Sequence, residues 1–189
     1  MSAVFERIEQ CAELGSARDA ASLVALTGRL KDPEWRVRFA AAVALGDRAD
    51  EAALGPLVET LFAEDAAPLY TQQSDMGGAP AGAPRSGTLA FPAGTTDEVR
   101  AAWQRRGRIK QAVAIALGAI GRADSRALEI LHRYVTDPKE DYAVRAAACK
   151  ALGMIRSGES RPWLERAAQD SEWCTSTEAR KALARVNSG

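Results

Sequence analysis

Side chains that catalyse reactions or bind metals are scarce in this sequence of 189 residues. His132 is the single histidine, and Cys11, Cys149 and Cys174 lie far apart in alanine-rich surroundings. Metal clusters and nucleophile–base pairs often depend on histidine, so such sites are nearly excluded. The odd number of cysteines suits buried or idle thiols in a reducing compartment better than a disulfide framework. We therefore expect no catalytic residue, no cofactor and no bound metal, and a surface or boundary position for His132.

The densest group of basic residues is the segment VRAAWQRRGRIK at 99–110. Basic side chains beside an aromatic ring can bind phosphate groups and stack on a base. The whole chain, however, has a formal net charge of zero and so provides no long-range field for a polyanion. We favour the solvated start of a long helix and keep nucleic acid or phosphate as a disfavoured ligand of this segment. Its candidate contact residues are Arg100, Trp103, Arg105, Arg106 and Arg108.

These residues must be positioned by a chain that repeats itself. AVALG at 42–46 recurs as AIALG at 114–118 and CKALG at 149–153, with weaker copies at 11–15 and 180–184. The leucines of this series are separated by 31, 72, 35 and 31 residues. A series of aspartates runs in step with it, namely Asp32, Asp65, Asp137 and Asp170. Apolar residues recur at i, i+4, i+7 and i+8, which predicts helices, and no segment alternates with the period of a strand.

Each repeat is therefore predicted to be a helix, a turn at the aspartate, and a second helix. The aspartate is expected to accept hydrogen bonds from the first N–H groups of that second helix. A glycine after each Ala-Leu pair suggests a helix end that leads into a left-handed residue. These glycines are Gly15, Gly46, Gly118 and Gly153. The predicted architecture is one helix near 3–14 and helix pairs near 19–46, 50–119, 124–154 and 159–187.

The second pair is interrupted by a long segment at 66–97 that is rich in proline and glycine and has few charges. Such a composition cannot propagate a helix, so we expect an inserted loop within a single domain of residues 1–189. Loops of this length in compact domains are usually functional or disordered. Tyr70 and Phe91 are its candidate contact residues.

DPEWRVRFAAAVALG at 32–46, IKQAVAIALG at 109–118 and VRAAACKALG at 144–153 resemble HEAT repeats, specifically the phycobilisome-lyase-like HEAT subfamily. The resemblance covers about 150 residues, everything except the inserted segment. It implies an all-α, right-handed α-solenoid whose second helices line the concave face, where Trp35 and Arg36 are further contact candidates. It also implies a structural ladder of bonds between neighbouring repeats. The residues assigned to that ladder are Asp32, Arg38, Lys110, Asp137 and Arg145.

The function that the resemblance favours is a non-catalytic scaffold or adaptor that binds another protein through the concave face and the inserted loop. Two alternatives stay open: a bilin-lyase-like chaperone or enzyme, and a nucleic-acid binder that uses 100–110. A lyase would need an apolar and acidic pocket that holds a tetrapyrrole. A nucleic-acid binder would need continuous positive potential along the concave face, and a scaffold would need an exposed apolar or aromatic strip. Iron-dependent HEAT hydroxylases need repeated His-Glu pairs, which this sequence lacks.

The N-terminal sequence MSAVFERIEQ lacks the basic start and apolar run of a signal peptide. No stretch approaches the eighteen apolar residues of a membrane span. We therefore expect a cytoplasmic protein.

Overall fold

The computed structural model describes residues 3–64 and 95–188, and this part of the chain is all-α. It contains nine α-helices and two short 3-10 helices, with no strand. A single helix, α1 (Ala3–Ser16), is followed by four helix pairs. These are α2 (Ala20–Arg29) and α3 (Trp35–Arg48), α4 (Leu54–Glu64) and α5 (Asp97–Ile120), α6 (Ser125–Thr136) and α7 (Tyr142–Ile155), and α8 (Arg161–Ala167) and α9 (Trp173–Asn187). The predicted all-α, solenoid-like fold is confirmed.

The insertion expected at 66–97 lies outside the described residues except for its last three. Tyr70 and Phe91 also lie outside them. Thr96 caps the helix that follows, because its hydroxyl oxygen accepts a hydrogen bond from the N–H of Val99 at 3.3 Å.

The aspartates of the repeat shape the turns and are not the caps of the second helices. The carboxylate of Asp32 accepts a hydrogen bond from the N–H two residues later, and the same bond recurs at Asp137 and Asp170. The side chains that cap α3 and α7 are instead Glu34 and Asp141. The expectation that the repeat aspartates cap the second helices is therefore wrong, because two residues separate Asp32 and Asp170 from their helices and four separate Asp137 from α7.

Leucines from both helices of each pair fill the core. Leu26, Leu57, Leu131 and Leu164 of the first helices and Leu45, Leu117 and Leu152 of the second helices are fully buried. Burial of one such side chain stabilises the fold by about 1.5–3 kcal/mol relative to its exposure. The core is continuous across the repeats, as expected when each helix pair buries its apolar side against its neighbours.

The four repeat glycines lie inside their helices, so the prediction that they end the helices is wrong. Each faces an alanine of the next second helix so closely that a Cβ atom on Gly118 would lie 2.8 Å from Ala151 Cα. On Gly153 a Cβ atom would lie 2.7 Å from Ala182 Cα. The glycines therefore permit close helix contact. The left-handed residues that end the helices lie three positions later; they are Ala49, Gly121 and Arg156.

The close contacts between glycine and alanine bring the second helices together into one sheet-like layer, α1–α3–α5–α7–α9. The first helices contact one another much less. Because the layer of second helices is the more tightly spaced, we take it as the concave side that the HEAT resemblance predicted.

Within the described residues, four ion pairs join a second helix to the following repeat. Their nitrogen–oxygen distances are 3.0 Å for Arg7–Asp32, 2.7 Å for Arg38–Glu64, 2.7 Å for Lys110–Glu140 and 2.6 Å for Arg145–Asp170. Lys110 thus pairs with Glu140, which was not among the residues assigned to the ladder. The carboxylate of Asp137 instead accepts the N–H of Lys139 in the turn.

His132 is buried on α6, which contradicts the expected surface or boundary position. Its Nε2 lies 2.9 Å from the hydroxyl oxygen of Ser160, and its ring stacks on Trp163 with centroids 5.1 Å apart. Burial lowers the pKa of His132, although the nearby carboxylate of Glu159 acts in the opposite direction. The imidazole therefore joins α6 to the last helix pair in its neutral form.

Candidate partner-binding groove

A groove follows the concave side across α3, α5 and α7. It consists of two adjoining cavities, of about 490 Å³ and about 580 Å³, which share Phe39 and Gln111 as lining residues. The first cavity extends toward the C-terminal halves of these helices, and the second lies where α3 and α7 begin. We call the whole surface the concave groove.

Large apolar side chains are exposed on the floor of the first cavity. Phe39 is 37% and Val43 is 42% exposed, and Ile115 is half-buried beside them. Most of the remaining floor consists of alanines such as Ala112, Ala116 and Ala147, whose small side chains leave the space open. The result is an apolar and aromatic strip on the inner face.

Polar side chains line the second cavity. Gln104, Arg108 and Gln111 project from successive turns of α5, opposite Asp141 and Tyr142 of α7. The carboxylate of Asp141 accepts the N–H of Ala143 at 2.7 Å. Burial nevertheless raises the pKa of Asp141, since desolvation outweighs that hydrogen bond.

The glycine register shows which residues of neighbouring helices lie at the same level of the groove. Arg36 and Arg108 each stand ten residues before their own repeat glycine, Gly46 and Gly118. Because Gly46 faces Ala116, two residues before Gly118, Arg36 is level with residue 106 of α5, about 3 Å along the helix from the level of Arg108. Phe39 and Gln111 stand seven residues before these glycines, which places them about one turn further along.

The basic segment occupies the elongated start of α5. α5 begins 21 residues before Gly118, whereas α3 begins 11 residues before Gly46. Measured back from its own repeat glycine, α5 is therefore about 15 Å longer than α3. Arg100, Arg105 and Arg106 on this extension are exposed, with Arg100 3.7 Å from Asp97.

The family model for HEAT repeats matches residues 6–74 and 104–184. The chain belongs to the HEAT-repeat family. The match is to HEAT repeats in general and does not single out the phycobilisome-lyase-like subfamily. No curated protein sequence matches the chain. Among solved structures, it is similar to human deoxyhypusine hydroxylase in complex with glycerol, at 20% identity and a TM-score of 0.34. That match covers 100% of this chain and 81% of the other, and at this TM-score it carries no argument about activity.

The sequence-predicted contact residues of this HEAT-repeat protein are only partly brought together. Arg108 lines the groove, whereas Arg36 is exposed about one helical turn before Phe39, with its guanidinium 5.3 Å from the ring centre of half-buried Trp35. Trp103 lines the second cavity but is only 8% exposed, so it offers little surface to a partner. Arg106 is exposed on the α5 extension and is not among the residues that line the groove.

Sequence reasoning missed Phe39, Val43 and Ile115, which form the apolar strip. Their spacing of three to four residues is the same as that of core residues, so periodicity alone cannot separate the two sets. The available signal was their position relative to the repeat glycine. Val43 and Ile115 stand three residues before their glycines, where the following repeat has Lys150.

The described residues of this HEAT-repeat protein contain no group of three or more side chains suited to a metal ion. Their one histidine contacts Ser160, whose side chain is fully buried and so cannot be reached by a substrate. Within the same residues, no helix is long and apolar enough to span a membrane.

Proposed function

We propose that this HEAT-repeat protein is a non-catalytic scaffold that binds another protein in the concave groove. The observation that carries the proposal is the exposure of Phe39 and Val43 beside Ile115 on an inner face that is otherwise lined mainly by alanine. Contiguous exposed apolar surface commonly marks a protein-interaction site. An aromatic side chain in such a patch is also typical of the residues that dominate binding energy.

The two alternative functions receive less support from the groove. A nucleic-acid binder needs continuous positive potential, but Asp47, Asp141 and Glu178 contribute carboxylates to the same surface. A bilin-lyase-like function needs a pocket able to enclose a tetrapyrrole, and the apolar cavity of this groove, with about 490 Å³, is the smaller of the two and is floored mainly by alanines. Protein binding requires neither feature.

Affinity capture from native cells tests the proposal. The baits are the full-length protein, its Val43→Glu variant, and a Val24→Glu variant as the matched control, because Val24 is a 70% exposed valine on α2, a first helix. We expect a protein partner to be captured by the full-length protein and by Val24→Glu, and to be lost with Val43→Glu. Capture of the same partner by Val43→Glu, with unchanged helicity by circular dichroism, would contradict binding in the groove.

A further inference from the structure

The concave groove is basic at the end where the second helices begin. Arg108 lines the second cavity there, and Arg36 and Arg105 are exposed about one helical turn before Phe39 and Arg108 on the same helices. Neither Arg105 nor Arg108 forms an ion pair with any residue that the structure describes. Arg36 contacts Glu34 at 3.2 Å, but its side chain is still 59% exposed. Exposed cationic side chains therefore lie at one end of the apolar strip.

The acidic groups near this basic end are already engaged. Asp141 is half-buried, and its carboxylate accepts a hydrogen bond from the N–H of Ala143. Glu34 accepts a hydrogen bond from the N–H of Arg36 at the start of α3. Neither carboxylate forms an ion pair with Arg108 in the described structure, so Arg108 retains its capacity to pair with a ligand.

The opposite end of the groove carries charges of both signs. Asp47 is exposed one residue after Gly46, and Lys150 and Glu178 line the same cavity. Glu178 is paired with Lys181 at 2.6 Å. From Arg36 to Asp47 is a step of 11 residues along α3, or about 16 Å. The apolar strip lies between these two levels.

A partner that fits this arrangement has carboxylates at one end and apolar side chains beside them. We infer that the groove binds an acidic, apolar peptide segment of a partner protein, with its carboxylates beside Arg36 and Arg108 and its apolar side chains on Phe39 and Val43. This inference rests on the proposed function and names the chemistry of its partner. A nucleic acid fits less well, because its evenly spaced phosphates would also meet the carboxylates of Asp47 and Glu178.

Selection of displayed random peptides on the full chain provides the probes. Peptides of about 15 residues are long enough, since the groove corresponds to about 11 residues of helix. Each enriched peptide is then synthesised with a fluorescent label, and its affinity is measured by anisotropy. The protein variants are Arg108→Glu, Val43→Glu and two exposed controls on first helices, Arg161→Glu and Val24→Glu.

We expect the enriched peptides to carry aspartate or glutamate next to apolar residues. Arg108→Glu should weaken their binding roughly tenfold or more, which corresponds to about 1.4 kcal/mol, and Arg161→Glu should leave it unchanged. Replacing the peptide carboxylates by lysine should restore binding to Arg108→Glu and abolish it for the unmodified protein. A general loss of folding cannot produce this exchange of preference.

Other outcomes separate this inference from the proposed function. If Val43→Glu abolishes peptide binding but Arg108→Glu leaves the affinity unchanged, the groove is still the binding site and the inference of an acidic partner is overturned. If Val43→Glu leaves the peptide affinity unchanged, or if only Val24→Glu abolishes binding, both the proposed function and the acidic partner are overturned. Tight binding of a short DNA probe that is sensitive to Arg108→Glu, without enrichment of acidic peptides, would favour the nucleic-acid function instead.

Discussion

The buried ion pair between Lys110 and Glu140 offers the sharpest test of how the repeats are held together. Both side chains are only 3% exposed, and Lys110 Nζ lies 2.7 Å from Glu140 Oε2 and 4.9 Å from the ring centre of Tyr134. Replacing Lys110 by methionine keeps most of the aliphatic volume and removes the charge. Glu140 is then left as a buried carboxylate without its cation.

Removing one partner of a buried pair typically costs about 3–5 kcal/mol, because the remaining charge is desolvated and uncompensated. For a chain of this size each kcal/mol lowers the melting temperature by about 2–4 °C, so Lys110→Met should lower it by about 6–20 °C. Glu140→Gln should also be destabilising. The double variant should cost less than the sum of the two, with a coupling energy of about 1–3 kcal/mol.

The measurement is urea unfolding followed by circular dichroism for both single variants and the double variant. Arg122→Met is the matched control, because Arg122 and Glu51 form an ion pair at 3.0 Å that is largely exposed. An exposed pair contributes only about 0–1 kcal/mol. If Lys110→Met costs no more than Arg122→Met, the buried pair does not hold the repeats together and the reasoning fails.

Three further predictions follow from the packing of single residues. Gly153→Ala should destabilise the fold by about 1–3 kcal/mol through overpacking, whereas Gly28→Ala, with open space around it, should stabilise it by up to about 1 kcal/mol; urea unfolding of both tests the difference in sign. Since burial lowers the pKa of His132, its unfolded form binds a proton more readily, and stability should fall as the pH drops through 6.5, the ordinary pKa, toward the lower folded value. Melting curves at about pH 8 and about pH 5 should show a smaller loss for His132→Gln, and equal losses would contradict this role. Burial raises the thiol pKa of Cys149 to about 12, so iodoacetamide should modify half-buried Cys174 first in the native protein, and the reverse order by mass spectrometry would contradict the packing.

The positions of the helices were predictable because their signals are local. Helical periodicity and the recurring aspartates place each pair within a few residues of its observed bounds. The role of the repeat glycines was not predictable from the same signals. Gly118, for example, matters because it faces Ala151 of the next repeat, and this contact depends on how two distant helices stack. In the sequence, a glycine that ends a helix cannot be told from one that allows a neighbouring helix to approach closely.

The candidate site likewise contains some residues that the sequence made predictable and others that it did not. Arg36 and Arg108 were expected at the concave face because the second helices of HEAT repeats line it. Phe39 and Val43 were missed because their spacing is that of core residues, and only their exposure among the described residues, 37% and 42%, distinguishes them. The predicted surface or boundary position of His132 was wrong because its burial depends on a contact with Ser160 in a different repeat.

The glycine register changes at α1 and α9, the two outer helices of the layer. Between second helices a glycine faces an alanine that stands two residues before the next repeat glycine position, as Gly118 does against Ala151. In α1 the alanine position is held by Glu13, and in α9 the glycine position is held by Ala184. A further helix packed on α1 would meet a long carboxylate side chain, and one packed on α9 would meet a methyl group in the space that glycine keeps open. These two residues therefore disfavour the packing of another helix on the outer side of α1 or α9 by the glycine–alanine contact that joins the second helices.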